Sequence, residues 1–142
     1  MRVSQKAEYA LRAMLDLALH APSQGGTRSS EIAKRTGVPR KFLEAILLDL
    51  HKAGFVSSKR GPDGGHWLSR DPSRVTVASI LEAIDGPTAV ADRGGPGASA
   101  ADACLHRLWT RVDGAVSAVV SSVTLEQLRR EADTQAPIDF NI

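Results

Sequence analysis

The sequence contains a single cysteine, Cys104, among its 142 residues. One thiol excludes an internal disulfide and is typical of a protein that works in a reducing compartment. No apolar run approaches the roughly 20 residues needed to cross a bilayer. The first residues, MRVSQKAEY, lack the apolar centre of a secretory signal peptide. These absences predict a cytoplasmic protein with no membrane partner.

The sequence also lacks the short signatures of common enzymes and metal sites. No phosphate-binding glycine motif precedes a helix pattern, and no local signature assembles Ser, His and Asp into a catalytic group. The four histidines, at positions 20, 51, 66 and 106, are scattered, and no pair has the spacing of a metal site. We therefore predict that the protein is not an enzyme and holds no metal.

What the chain does have is an uneven distribution of charge. Residues 1–74 hold 13 Lys and Arg against 7 Asp and Glu, for a net charge of +6, whereas residues 75–142 carry −4. A basic front half and an acidic rear half indicate a DNA-facing module joined to a separate rear module.

Residues 29–68 carry the pattern that organises the rest: two helix patterns joined by a tight turn, then two short strand patterns. Ser29 or Ser30 can cap the first helix, and Gly37 can end it in a left-handed conformation. Pro39 fits the first turn of the second helix, where its missing N–H costs nothing. Apolar residues at helical spacing mark the buried face of the second helix: Leu43, Ile46, Leu47 and Leu50. This is the pattern of a helix-turn-helix.

The start of the second helix carries the residues predicted to read DNA. Arg40, Lys41 and Glu44 lie largely off the buried face, and a recognition helix places its N-terminal residues against base edges. Arg and Lys suit phosphate or guanine, and Glu44 could accept a hydrogen bond from the cytosine amino group. Leu48 lies beside this polar side, where it could contact a thymine methyl group or tuck under the wing. A winged helix that binds only proteins is the alternative.

The two strand patterns, residues 55–59 and 66–68, flank a basic, glycine-rich tip. Three glycines and a proline in residues 60–65 exclude regular structure there. Glycines let a backbone approach phosphate, and Arg60 suits insertion into a narrow minor groove. Together with the helix residues, the predicted DNA contacts are Ser29, Lys59, Arg60, Gly61 and Gly64.

The rear of the chain is predicted to hold a loop and a dimerisation helix. Residues 1–86 form the winged helix-turn-helix DNA-binding domain, and residues 87–102, rich in Gly, Ala and Ser, form a flexible loop. Residues 103–135 form the dimerisation helix and a short terminal helix, separated by a capping box that begins at Thr124. The apolar seam suited to pairing two chains includes Leu105, Trp109, Val112, Val116 and Val120. The alternative is a helix folded back on its own domain; either way, the fold class is mainly α with a small β-wing.

Four stretches together resemble the Rrf-type family of bacterial winged-helix regulators, and they cover almost all of residues 1–130. They are MRVSQKAEYALRAMLDLALH, EIAKRTGVPRKFLEAILLDLHKAGFVSSKRGPDGG, VTVASILEAIDGP and CLHRLW with SSVTLEQL. The resemblance implies a homodimer crossed by the long C-terminal helix. It also implies binding to promoter DNA through the helix after Pro39 and through Arg60, as in a repressor. Repression versus activation, the operator and the effector stay open.

The chain departs from the family pattern at the site where many members hold an iron–sulfur cluster on three cysteines. Only Cys104 remains, and cluster iron needs several thiolates. We therefore predict no cluster and no other cofactor, with a cluster on Cys104, His106 and Glu8 as the alternative. Two further departures lie in the wing, where Asp63 replaces the usual glycine and His66 stands where a tyrosine is usual.

Cys104 is also the candidate for a redox signal. It lies just ahead of the predicted dimer helix, beside His106 and Arg107, and positive neighbours at a helix start favour thiolate reactivity. The alternative is a small buried hydrophobe retained from cluster-bearing relatives. A small-molecule effector between the wing domain and the dimer helix is the other possible signal.

Overall fold

The computed structural model describes residues 3–87 and 97–134. The helices are α1 (Gln5–Leu19), α2 (Ser29–Thr36), α3 (Arg40–Lys52), α4 (Val77–Asp85), α5 (Ala100–Ser122) and α6 (Leu125–Thr134); the strands are β1 (Val56–Lys59) and β2 (Gly65–Leu68). A short 3-10 helix, Pro72–Arg74, precedes α4. The predicted fold class, mainly helical with a small β-wing, is confirmed. Across the described residues, none of the helices combines the length and apolar character needed to span a bilayer.

The core lies between α1 and α3. The face of α1 that packs there carries Ala10, Ala13, Met14 and Leu17, all at most 2% exposed, and the four apolar residues predicted for the buried face of α3 are buried as well. Each such Leu or Met contributes about 1.5–3 kcal/mol through removal of its side chain from water. The α3 surface opposite this core is therefore the one left free for a ligand.

An ion pair between the buried Asp16 of α1 and the partly exposed side chain of Arg35 holds α2 against α1. Arg35 donates two hydrogen bonds, of 2.9 and 3.0 Å, to the two carboxylate oxygens of Asp16, which is 5% exposed. The hydrogen bond to Asp16 is the main cause that raises the pKa of Arg35. This bidentate geometry orients α2 as well as attaching it.

The turn between α2 and α3 follows the prediction at Gly37, whose φ of 75° is left-handed. Two details of the caps differ from it. Pro39 is the N-cap of α3, outside the first turn, and its carbonyl accepts from the Leu43 amide. The N-cap of α2 is Arg28, with no side-chain cap bond, so the predicted serine cap is wrong. The Ser29 hydroxyl is engaged elsewhere, by Glu44 of α3.

The wing is an antiparallel pair with a third backbone segment along its outer edge. Within β1 and β2, Val56 pairs with Leu68 and Lys59 pairs with Gly65. Thr27 forms an isolated bridge with His66 through two backbone hydrogen bonds of 2.8 Å. The loop before α2 is therefore hydrogen-bonded to β2 at one residue pair, a contact that was not predicted from the sequence.

The rear helices divide differently from the prediction. Helix α5 begins at Ala100, within the segment predicted as a loop, because Ser99 and Asp102 form a capping box there. Residues 88–96 of the predicted loop and residue 135 of the predicted terminal helix lie outside the described residues. The capping box predicted at Thr124 is present, with Gln127 as its partner. Beyond it, α6 packs back on α1 and buries Leu125 to 1% exposure. Thus α6 shares the core of the front domain, and α5 alone projects from it.

Candidate nucleic-acid interface

The outer face of α3 presents the predicted base-reading residues to solvent. Arg40, Lys41 and Glu44 are exposed, while every apolar residue predicted for the opposite face is buried. The 3.6-residue period of the helix separates the two sets. The polar face is therefore available to a partner along the first turn and a half of α3.

Two side chains orient the Glu44 carboxylate on this face. The Ser29 hydroxyl donates to Glu44 Oε1 at 2.7 Å, and the Arg40 Nε lies 3.8 Å from the same oxygen. Ser29 itself is only 9% exposed. Ser29 therefore contacts Glu44 within the protein, and the predicted direct contact of Ser29 with DNA stays a prediction.

Leu48 extends the same face of α3 toward its C-terminal half. Its side chain is 54% exposed, so it does not tuck under the wing. Of the two positions the sequence left open for Leu48, the exposed one is observed, and a contact with a thymine methyl group stays a prediction.

The wing tip presents Lys59, Arg60 and Gly61 to solvent. Gly64 is different, because it is buried inside the turn. Its amide donates to the Gly61 carbonyl at 2.9 Å, and a Cβ at Gly64 would collide with the backbone of Lys59 and Arg60. The glycine is required for the turn to close, so its role is internal to the wing and not an approach to phosphate.

Arg28 lies beside this candidate surface, and its contacts were not predicted from the sequence. It is exposed, and its Nη2 donates to the carbonyl oxygens of Gly61 at 3.0 Å and Pro62 at 2.9 Å. Its position directly before α2 was the only available signal. A lone arginine before a helix does not reveal a contact with backbone 33 residues away.

His66 lies on β2 where the wing meets α3. Its burial is the main cause that lowers the pKa of His66 from the ordinary value of 6.5; nearby Glu44 raises it and His51 lowers it further. The lowered pKa favours the neutral form of His66 at pH 7, so His66 adds little charge beside Glu44.

The residues present do not fit an iron–sulfur cluster. No group of three His, Cys, Asp or Glu side chains within the described residues could hold a metal ion. Glu8, one of the alternative ligands, pairs with Arg12 on α1 at 3.3 Å. Cys104 is exposed on the second turn of α5, so its interpretation as a buried hydrophobe is wrong for the single chain.

The apolar seam of α5 faces solvent. Leu105, Trp109 and Val112 are 51%, 41% and 38% exposed, and Val116 and Val120 are half-buried. No residue of this fully described helix is buried. The helix contacts α4 of its own chain without burying any residue there, so the front domain leaves most of the apolar seam uncovered.

Comparison with known proteins agrees with this architecture. The model of the Rrf2 family, described as an iron-dependent transcriptional regulator, matches residues 3–131. The transcriptional regulator IscR of Xenorhabdus nematophila is 38% identical over 130 residues, which cover 90% of this chain and 79% of that relative. Among solved structures, T. potens IscR superposes with a TM-score of 0.79 at 29% identity, covering 98% of this chain and 93% of that one. CymR, the global cysteine regulator of B. subtilis, also gives 0.79, at 30% identity, covering 92% and 98%. The chain therefore belongs to the Rrf2 family of DNA-binding transcription regulators, as its sequence predicted, and is not an enzyme.

Proposed function

We propose that the protein is a cytoplasmic, homodimeric repressor that binds a two-fold operator without an iron–sulfur cluster. The observation that carries this proposal is the construction of one exposed surface from two elements, the start of α3 and the tip of the wing. Adjacent residues tie both elements to the same point, since Ser29 bonds Glu44 of α3 and Arg28 bonds the wing tip.

On this surface the proposed roles differ between the two elements. Arg40, Lys41 and Glu44 read base edges in the major groove, because the start of a recognition helix enters that groove. Arg60 enters the minor groove, whose negative potential attracts a guanidinium group. Lys59 and the backbone of Gly61 contact the flanking phosphates, which position the protein without reading sequence.

The α5 seam supports the homodimer. A helix of 23 residues is about 35 Å long, and its exposed apolar side chains would leave a large patch in water if the chain stayed alone. A second copy of the same helix covers that patch with a self-complementary surface. Two recognition helices related by a two-fold axis then match a palindromic operator.

Two signals remain as candidates for regulation. The exposure of Cys104 favours a thiol-based redox regulator, because a buried thiol would not meet an oxidant. A small-molecule effector is the other candidate. Either signal works only if it favours one dimer arrangement over another.

Footprinting of the upstream region of the protein's own operon, over a range of salt concentrations, tests the proposed DNA-binding function. We expect a protected palindrome and an affinity that falls steeply with salt, because each neutralised phosphate releases counterions. A protein with Lys41→Glu should lose the footprint, and one with Lys34→Glu, on α2, should retain most of it. Absence of any protection at low salt would contradict the assignment of this region as an operator.

A further inference from the structure

The side chain of Arg28 spans the gap between the start of α2 and the wing tip. Its two Nη2 hydrogens are directed at two successive carbonyls, those of Gly61 and Pro62, at 3.0 and 2.9 Å. Hydrogen bonds from an ionised donor are stronger than those between neutral groups. Both carbonyls directly follow Arg60 in the chain, so the contact restrains the backbone that carries Arg60.

The backbone around Arg28 is itself anchored on both sides. On one side, Thr27 bridges to His66 of β2 through two hydrogen bonds. On the other side, the Ser29 hydroxyl bonds Glu44 of α3 at 2.7 Å. Three consecutive residues, 27–29, therefore contact the wing sheet, the wing tip and the recognition helix in turn.

The other contacts of the wing tip are made by backbone, since the Gly64 amide donates to the Gly61 carbonyl and Gly65 packs against the backbone of Gly26 and Thr27. Residues 59–63 are all exposed, so no core packing restrains the side chains on this segment. Apart from the packing of Gly25 against the Asp63 backbone, Arg28 is the side chain that reaches this tip from outside the hairpin among the described residues. The guanidinium group of Arg28 therefore donates its hydrogen bonds to backbone carbonyls, although it lies next to the proposed DNA surface.

We propose that Arg28 is a positioning residue, which sets the distance and angle of Arg60 relative to α3 and does not itself contact DNA. The inference rests on the proposed role of Arg60 in the minor groove. On this proposal, the hydrogen bonds of Arg28 set the spacing between the residues of α3 that enter the major groove and Arg60, which enters the minor groove.

The test is a double-mutant cycle on operator binding with Arg28→Ala and Arg60→Ala. Arg28→Ala alone should weaken binding by about tenfold, the size expected for coupled residues in one network. In the Arg60→Ala background, the same change should cost no more than about twofold, because the residue that it positions is already gone. Arg28→Met, which keeps the aliphatic stem, should repeat the result if the alanine variant folds poorly. Arg130→Ala, an exposed arginine on α6, is the matched control and should bind normally.

A direct phosphate contact by Arg28 gives a different result. It would cost the same in both backgrounds and would lower the slope of log affinity against log salt by about one, and either outcome overturns the inference. A loss of thermal stability with equal binding losses in both backgrounds would also overturn it, because that pattern indicates a general structural role.

Hydrogen exchange without DNA separates this inference from the proposed function. Arg28→Ala should speed amide exchange in residues 60–65 and leave α1 unchanged, since local opening reflects the contacts of each segment. If Arg60→Ala binds the operator normally, the proposed wing contact fails even when the exchange result holds. If Arg60→Ala weakens binding and exchange at the tip is unchanged in Arg28→Ala, the positioning role fails alone.

Discussion

At the scale of single residues, the proposed interface depends on how a few side chains are held as much as on which residues are present. Without neighbouring contacts, the Glu44 side chain would sample many rotamers that are not oriented for contact with a base. The hydrogen bond from Ser29 and the charge of Arg40, 3.8 Å away, restrict that range before DNA arrives. Preorganisation of this kind lowers the entropy cost of binding.

Arg60→Ala should weaken specific operator binding by about 1–3 kcal/mol if Arg60 reads the minor groove. The loss should be larger for an operator with a narrow A·T-rich flank than for one with a G·C flank, because the guanidinium responds to groove width. Fluorescence anisotropy on the two operators measures the difference. A folded Arg60→Ala protein that binds both operators as the wild type does would remove Arg60 from the interface.

His66 gives a pH dependence of stability whose sign follows from its lowered pKa. The unfolded chain protonates His66 near its ordinary value of 6.5, whereas the folded chain does so only at lower pH. The contribution is therefore fully present above pH 6.5 and is lost as the pH falls through the folded-state pKa. Urea unfolding between pH 5 and 8 should show a smaller decline in His66→Gln than in the wild type. Parallel curves for the two proteins would argue against burial of His66 as the cause.

At the scale of elements, α5 differs from the other α-helices of the described chain because it has no buried residue. Each of the other α-helices buries at least one apolar residue, from Leu125 alone in α6 to a full stripe in α1 and α3. The apolar stripe of α5 therefore requires a surface that a single chain does not supply.

Val116→Asp should abolish dimerisation, because it places an unpaired charge in the proposed apolar seam. Light scattering at micromolar concentration should give a dimer for the wild type and a monomer, or an unfolded chain, for Val116→Asp. Ser117→Asp is the matched control, since it adds the same charge to an exposed position on the next residue of α5. A wild-type monomer under these conditions would refute the proposed assembly.

At the scale of the whole molecule, the chain combines the fold of an iron-dependent family with a ligand set that does not suit cluster iron. The family model matches 3–131, yet one cysteine is present in the entire sequence. Hydroxyl, carboxylate and guanidinium groups are poor substitutes for thiolates at such a site. The fold therefore does not by itself define which signal regulates the protein.

Anaerobic reconstitution with iron and sulfide should leave the protein colourless and without stoichiometric iron, because too few thiolate ligands are present. Visible absorption and iron analysis measure this directly. A brown protein whose charge-transfer band disappears in Cys104→Ala would show that the prediction is wrong. Operator binding before and after peroxide treatment of the colourless protein then tests Cys104 as a redox switch.

The sequence by itself determined the elements and their faces. The buried face of α3, the end of α2 at Gly37 and the capping box at Thr124 all depend on local patterns, in which each residue is at most four positions from the next. Local spacing therefore contains the information that forms them. The strand patterns around residues 60–65 predicted the wing, and the family resemblance added the expectation of a homodimer crossed by the long C-terminal helix.

Only the tertiary structure decided which residues hold those elements together. Arg28 meets the wing tip 33 and 34 residues away, and Ser29 meets Glu44 15 residues away. Gly64 is buried by the closure of its own turn, and α6 returns to α1 across the length of the chain. No local period records such contacts, because they arise when separate elements pack into one core and bring distant side chains within hydrogen-bond reach.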